Sequence, residues 1–211
     1  MDLSLEVLQA YPKSQCLCPT LIFVIQASYF GKLSFNSALL RAQVMIEPKQ
    51  RIYGNKEHLK VSQRFGNPSS INSLFWTEKI FFLSQIKGIQ TYELPIEIRD
   101  EHESAIWEFT SSLETGNIFL RFLFNGVCFF LTQENRMQVQ SIPWTTEATF
   151  ELPISLWKET IRQHYPNGLW LRIDLDLYQK LQDYQYRNSL PSLEKSIESL
   201  LEKSFPKDQP V

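Results

Sequence analysis

Apolar and polar residues alternate along much of this chain. Leu3, Leu5 and Val7 fall on one side of the first segment and Ser4 and Glu6 on the other, the period-two signature of a half-buried strand. Thr20–Tyr29, TLIFVIQASY, is apolar on both faces at its start, as a central strand would be. Ala38–Ile46 puts Leu40, Ala42, Val44 and Ile46 on one face and stops before Pro48, which cannot donate to a ladder. Further strands are predicted over 74–84, 90–99, 137–142 and 149–154, with a short extended piece at 169–173. Helical spacing appears between them. A short helix is expected from about Lys56 to Phe65, with Asn55 as N-cap, Gly66 at its end, Leu59 and Phe65 as its packing residues and Val61 as a further candidate. Glu101–Leu113 carries Ile106, Phe109, Thr110 and Leu113 at helical spacing, with Gly116 to end it. A third helix is predicted over 155–165, stopped by Pro166-Asn167-Gly168. Two more follow, one with Leu177, Leu181 and Tyr184 on a face and one with Leu193, Ile197, Leu200 and Leu201.

The densest apolar stretch is Ile118–Thr132, IFLRFLFNGVCFFLT. Its Asn125-Gly126 predicts a type I′ hairpin turn, because both central residues of that turn need positive φ. The hairpin would set Phe124 opposite Val127, Phe122 opposite Phe129 and Leu120 opposite Leu131, an apolar face that belongs in a core. The pattern therefore predicts an α+β protein: a mainly antiparallel β-sandwich or curved sheet with C-terminal helices. A β-rich core is expected over 1–173 with a helical insertion near 55–66, then a helical extension over 174–204 and a flexible tail over 205–211. Thr91–Ile96, TYELPI, echoes Thr149–Ile154, TFELPI. Each copy precedes a predicted helix, a glycine and a Leu-Arg strand, which reads either as pseudo-symmetry or as chance likeness of short apolar strings.

Composition narrows the partners. With 211 residues, 21 Lys+Arg against 23 Asp+Glu and a net charge of −2, the chain lacks the basic excess that nucleic acid or an anionic membrane selects. No apolar run is long enough to span a bilayer, so no membrane insertion is expected. The N-terminus, MDLSLEVLQ, has no signal pattern. Three cysteines, Cys16, Cys18 and Cys128, form an odd, sparse set that fits a reducing compartment, and a cytoplasmic location is expected.

Chemistry is harder to find. The seven glycines are isolated, so no P-loop, dinucleotide fingerprint or nucleophile elbow can be written. His58, His102 and His164 have no ligand partner at metal spacing. Cys16-x-Cys18 is either incidental or a soft-metal or redox pair, and zinc would need ligands from elsewhere. Asp174 and Asp176 are helix caps or a paired acid site, and Glu101 and Glu103 sit where a helix N-terminus favours acids. The basic run Lys49, Arg51, Lys56, Lys60 and Arg64 is a solvated insertion or a contact for an acidic partner. Trp144, Trp157 and Trp170 could form an aromatic partner-binding face, or serve as core. No catalytic residue, metal ligand or cofactor is assigned, and an enzyme is not expected.

Several segments carry a resemblance. They are Ala42–Pro48 (AQVMIEP), Leu74–Thr77 (LFWT), Leu94-Pro95-Ile96, Phe124–Phe130 (FNGVCFF), Ile142-Pro143-Trp144, Leu152-Pro153-Ile154 with Trp157, and Tyr165–Leu171 (YPNGLWL). Together they resemble an uncharacterised bacterial family of about this length, a domain of unknown function, over nearly the whole chain. Members of that family tend to be encoded beside high-affinity uptake nickel–iron hydrogenases. The resemblance implies a non-catalytic accessory or assembly role, with a hydrogenase subunit or maturation factor as protein partner, and carries over no site residues. A weaker similarity to the export chaperone SecB lies in Ile173–Tyr178 (IDLDLY) after a β-rich body. It implies, as an alternative, a chaperone for unfolded or immature clients.

Overall fold

The computed structural model describes residues 3–99, 105–134, 136–166, 168 and 173–204. They form two compact units, residues 1–166 and 167–211. In the first, strands β1 (Leu3–Pro12), β2 (Thr20–Tyr29) and β5 (Gly88–Glu97) make a three-stranded sheet in the order β1-β2-β5. Strands β3 (Ser34–Ile46), β4 (Leu74–Leu83), β6 (Asn117–Leu131), β7 (Met137–Ser141) and β8 (Glu147–Pro153) make a five-stranded one. Every pairing is antiparallel. The predicted α+β class and antiparallel sandwich are what the chain forms.

The two sheets close on one core. Phe23 of β2 meets Phe122 of β6 edge-on at 5.3 Å and Phe150 of β8 at 5.8 Å. The thirteen residues of β3 alternate so that Ala38, Leu40, Ala42, Val44 and Ile46 are fully buried. β2 is central, as its two apolar faces predicted, with Leu21, Phe23, Ile25 and Ala27 wholly inside.

Ile118–Thr132 does not fold as a hairpin. It is one continuous strand, β6, of fifteen residues. Asn125 pairs with Arg41 and Gly126 with Leu40 of β3, and Phe122 lies opposite Val44, not Phe129. The even side chains on both sides of Gly126 point inward: Ile118, Leu120, Phe122, Phe124, Cys128 and Phe130 are each at most 1% exposed. A turn at 125–126 would have folded this apolar row onto itself, whereas running straight buries it against the other sheet. Gly126 still has a positive φ, +144°, but the reason is close approach: a Cβ there would lie 2.1 Å from the Leu39 carbonyl oxygen. At this point β6 also changes neighbours on its far edge. β8 pairs with residues 117–123 and β7 with residues 127–131. The chain between them leaves and returns at the seam, with Ile142 N donating to Gly126 O and Phe124 N to Thr146 O.

Helix α1 (Asn55–Phe65) begins at its predicted cap, with Gly54 as the N-cap instead, and it packs through Val61, fully buried, while Leu59 is 59% exposed. Phe65 meets Phe109 of α2 (Ala105–Ser111) edge-on. Glu101 and Glu103, in the predicted first turn of that helix, lie outside the described residues. Helix α3 (Ile154–His164) buries Ile154, Trp157 and Thr160. The two echoed segments differ in setting: TYELPI lies within β5, whereas in TFELPI the strand ends at Pro153 and the helix takes Ile154. The second copy's closing strand, 169–173, is outside the described residues save for Ile173.

The second unit is a helical pair, α4 (Leu175–Arg187) and α5 (Leu193–Ser204). Asp174 caps α4 by accepting from the Asp176 and Leu177 amides. The helices meet at Leu181 and the fully buried Ser196, with a 3.0 Å hydrogen bond between the Tyr184 and Ser199 hydroxyls. No helix among the described residues is long and apolar enough to cross a membrane.

Replacing Gly126 with valine sets the clash with Leu39 on top of a backbone that disfavours any side chain. A loss of about 3 kcal/mol or more is expected, read from the urea midpoint.

Candidate functional site

One buried ion pair decides what the basic stretch can do. Arg51 and Glu57 meet at 2.7 Å with both side chains 5% exposed. Arg51 also donates to the carbonyls of Thr115 and Asn117, and Glu57 accepts from the amides of Gly54, Glu114 and Thr115. Gly116 is required between them. Its φ is +75°, and a Cβ would lie 3.1 Å from the Arg51 guanidinium. Burial raises the Glu57 pKa, but the Arg51 hydrogen bond and the three backbone amides outweigh it and hold the carboxyl at about 2, from an ordinary 4.5. Burial pushes the Tyr53 hydroxyl, beside Arg51, up to about 12. Farther along α1, Lys60 pairs with Glu114 at 3.0 Å and Arg64 bonds to Glu108 at 2.7 Å. Three of the five basic residues are thus taken up by acids of the same chain.

The tryptophans separate. Trp144, in the turn between β7 and β8, is 87% exposed, whereas Trp157 of α3 is 2% exposed in the core. They share no face, and Trp170 lies outside the described residues. Trp157 instead packs against Trp76 of β4, ring centroids 5.0 Å apart and planes tilted by 56°. Trp76 is the extra residue of a β-bulge, since Val44 pairs with Thr77 and Met45 with Phe75, and a bulge re-aims side chains. Together with Trp107 of α2 these rings line a cleft of about 420 Å³ between β4, the end of β5 and α2. Its carboxylates are already engaged. Glu78 accepts from Gln43 at 2.9 Å and pairs with Arg41, and Glu97 pairs with Lys79 at 3.5 Å. No histidine, cysteine or serine is among its described lining residues.

A second feature spans the outer face of the larger sheet. Leu39 lies between Phe82 and Val127, Phe129 opposite Val139, and Leu131 opposite Met137. All are at odd positions of β3, β6 and β7 or their β4 partner, and so face away from the core. Leu39 is 48% exposed, Phe82 59%, Val139 56% and Met137 56%, and neighbouring Ile80 is 63% exposed. This apolar belt crosses four strands. The other half of the same face is charged and paired: Arg41 with Glu78, and Arg121 with Glu47 at 2.8 Å. A contiguous apolar patch with a polar border marks an interaction surface.

The chain matches, over residues 1–209, the model of a family of unknown function, DUF6084. It belongs to that family. No curated protein matches the sequence. Among solved structures, the CARDB domain of the PF1109 protein from Pyrococcus furiosus is 11% identical with a TM-score of 0.30, covering 72% of this chain and 91% of that one. A β-glucosidase from Kluyveromyces marxianus is 8% identical with a TM-score of 0.29, covering 71% of this chain and 15% of that one. With TM-scores this low, neither likeness bears on the fold or function of this DUF6084 member.

The remaining candidates have local partners. His58 bonds to Ser62 one turn on, Glu159 to Arg162 and Gln163, and the His164 ring lies edge-on to Tyr165. His102 is outside the described residues. Cys128 is buried, and burial pushes its thiol up to about 12. Among the described residues no three His, Cys, Asp or Glu side chains converge as a metal site. The belt was not foreseen. Its signal lay in Ile80 and Phe82 of a predicted strand, and only the register shows that Phe82 stands opposite Leu39, which leads through Val127 and Phe129 to Val139.

Two stability measurements check these placements. Trp157→Ala should cost about 3–5 kcal/mol and Trp144→Ala less than about 0.5 kcal/mol by guanidinium unfolding. Glu57→Gln should cost about 3 kcal/mol near neutral pH. Because the folded pKa of Glu57 lies below its unfolded value, the stabilisation is present above about pH 4.5 and is lost as pH falls towards about 2. The gap between wild type and Glu57→Gln should therefore close over that acid range.

Proposed function

We propose that this protein is a non-catalytic binding module that docks a folded protein partner on the outer face of its five-stranded sheet. The belt of Leu39, Phe82, Val127, Phe129, Val139 and Met137 carries the reading. A soluble chain that leaves large side chains side by side across four strands gains by covering them. The occupant is a preformed surface, since the belt is a regular sheet face bordered by fixed ion pairs rather than a deep groove that an extended client would fill. The paired state of Glu78 and Glu97 in the cleft supports a role without catalysis. The resemblance drawn from Ile142-Pro143-Trp144 and Tyr165–Leu171 supports the partner class, a nickel–iron hydrogenase subunit or a factor in its maturation.

Affinity capture with the tagged protein in its own host tests this. Hydrogenase components should co-purify at near-stoichiometric yield with wild type and be lost with Leu39→Glu/Phe82→Glu, whose thermal midpoint should stay within a few degrees of wild type because both positions are solvent-facing. Capture that persists in the double variant overturns the belt as the docking surface. A broad set of unfolded proteins, with suppressed aggregation of an unfolded test protein, would replace this reading with the SecB-like one.

A further inference from the structure

We propose that Cys16 and Cys18 form a two-thiolate site for a soft monovalent cation of the copper(I) class. Both lie at the tip of the β1–β2 hairpin, which is closed at its base by a 2.8 Å hydrogen bond from Lys13 N to Thr20 O. A cysteine with no chemical task behaves as a small apolar residue and is usually buried, as Cys128 is. Cys16 and Cys18 are partly exposed, on either side of a fully exposed Leu17. Their sulfurs have only weak neighbours: Cys16 Sγ is 3.3 Å from the Lys13 carbonyl and Cys18 Sγ 4.0 Å from the Thr20 hydroxyl.

Chain geometry supplies the reach. Residues two apart have Cα atoms no more than about 7 Å from one another, so both sulfurs can meet one ion. The Cys18 end is anchored, because Thr20 Oγ1, on a residue 5% exposed, donates to the Cys18 carbonyl at 2.9 Å.

The ligand count selects the metal. Zinc wants four ligands, and among the described residues no third His, Cys, Asp or Glu joins the pair. Copper(I) is selected by soft thiolates and is satisfied by two in a linear complex. On binding, each thiol loses its proton and forms one sulfur–metal bond. One cation enters, two protons leave and the net charge of the protein falls by one.

The test is anaerobic titration of the reduced full-length protein with copper(I) in competition with bicinchoninate, followed by the chelator's absorbance. Wild type should withdraw one equivalent. Cys16→Ser and Cys18→Ser should each weaken that competition by about 100-fold or more, and Cys128→Ser should leave it unchanged. Circular dichroism should show both tip variants folded, since the hairpin tip lies outside the core. Failure of wild type to compete overturns the proposal. So does wild-type competition by either tip variant.

Discussion

Strand β6 has to find backbone partners along both edges for fifteen residues while burying every second side chain, and the rest of the first unit is arranged to let it. β3 supplies one edge over nearly the whole length. The other edge is longer than any single neighbour, so β8 and β7 divide it. Where they divide, the backbones of β6 and β3 come so close that no side chain fits at position 126. The even row from Ile118 to Phe130, interrupted only at Gly126, then fills the space between the sheets.

The Arg51–Glu57 pair does a different job. It joins the first turn of α1 to the 114–117 turn just before β6, so the inserted helix is fastened to the start of the central strand. Burying two charges is costly unless their remaining donors and acceptors are met. Here three backbone amides and two carbonyls meet nearly all of them, although Arg51 Nε has no partner among the described residues. The same arrangement removes Arg51 from any role towards an outside anion.

The strands were legible because period-two alternation is a local property, and the ends of β2 and the stop at Ile46 follow from it. The Asn125-Gly126 reading failed because the same dipeptide satisfies two demands, a mirror-image turn and a close backbone crossing, and only the partner strand distinguishes them. Leu59 turned outward and Val61 inward for a similar reason: on a short helix either can face the core, and the anchoring of Glu57 fixes the rotation. Trp144 and Trp157 are evenly spaced in sequence but belong to a turn and to a core helix, so spacing says nothing about proximity. The belt depends on register between distant strands, which no single segment encodes.

Lys79 has a consequence beyond its ion pair with Glu97. It stands in the middle of β4, an outermost strand of its sheet, opposite the buried Ala42, so its ammonium is directed between the layers. A polypeptide adding itself to that rim as another strand would have to seal a charge inside the enlarged sandwich, which natural sheets use to stop edge-to-edge polymerisation. The apolar surface beside it can therefore stay open without inviting fibrils. On this rim, then, strand addition is opposed by a charge while the neighbouring apolar face stays exposed.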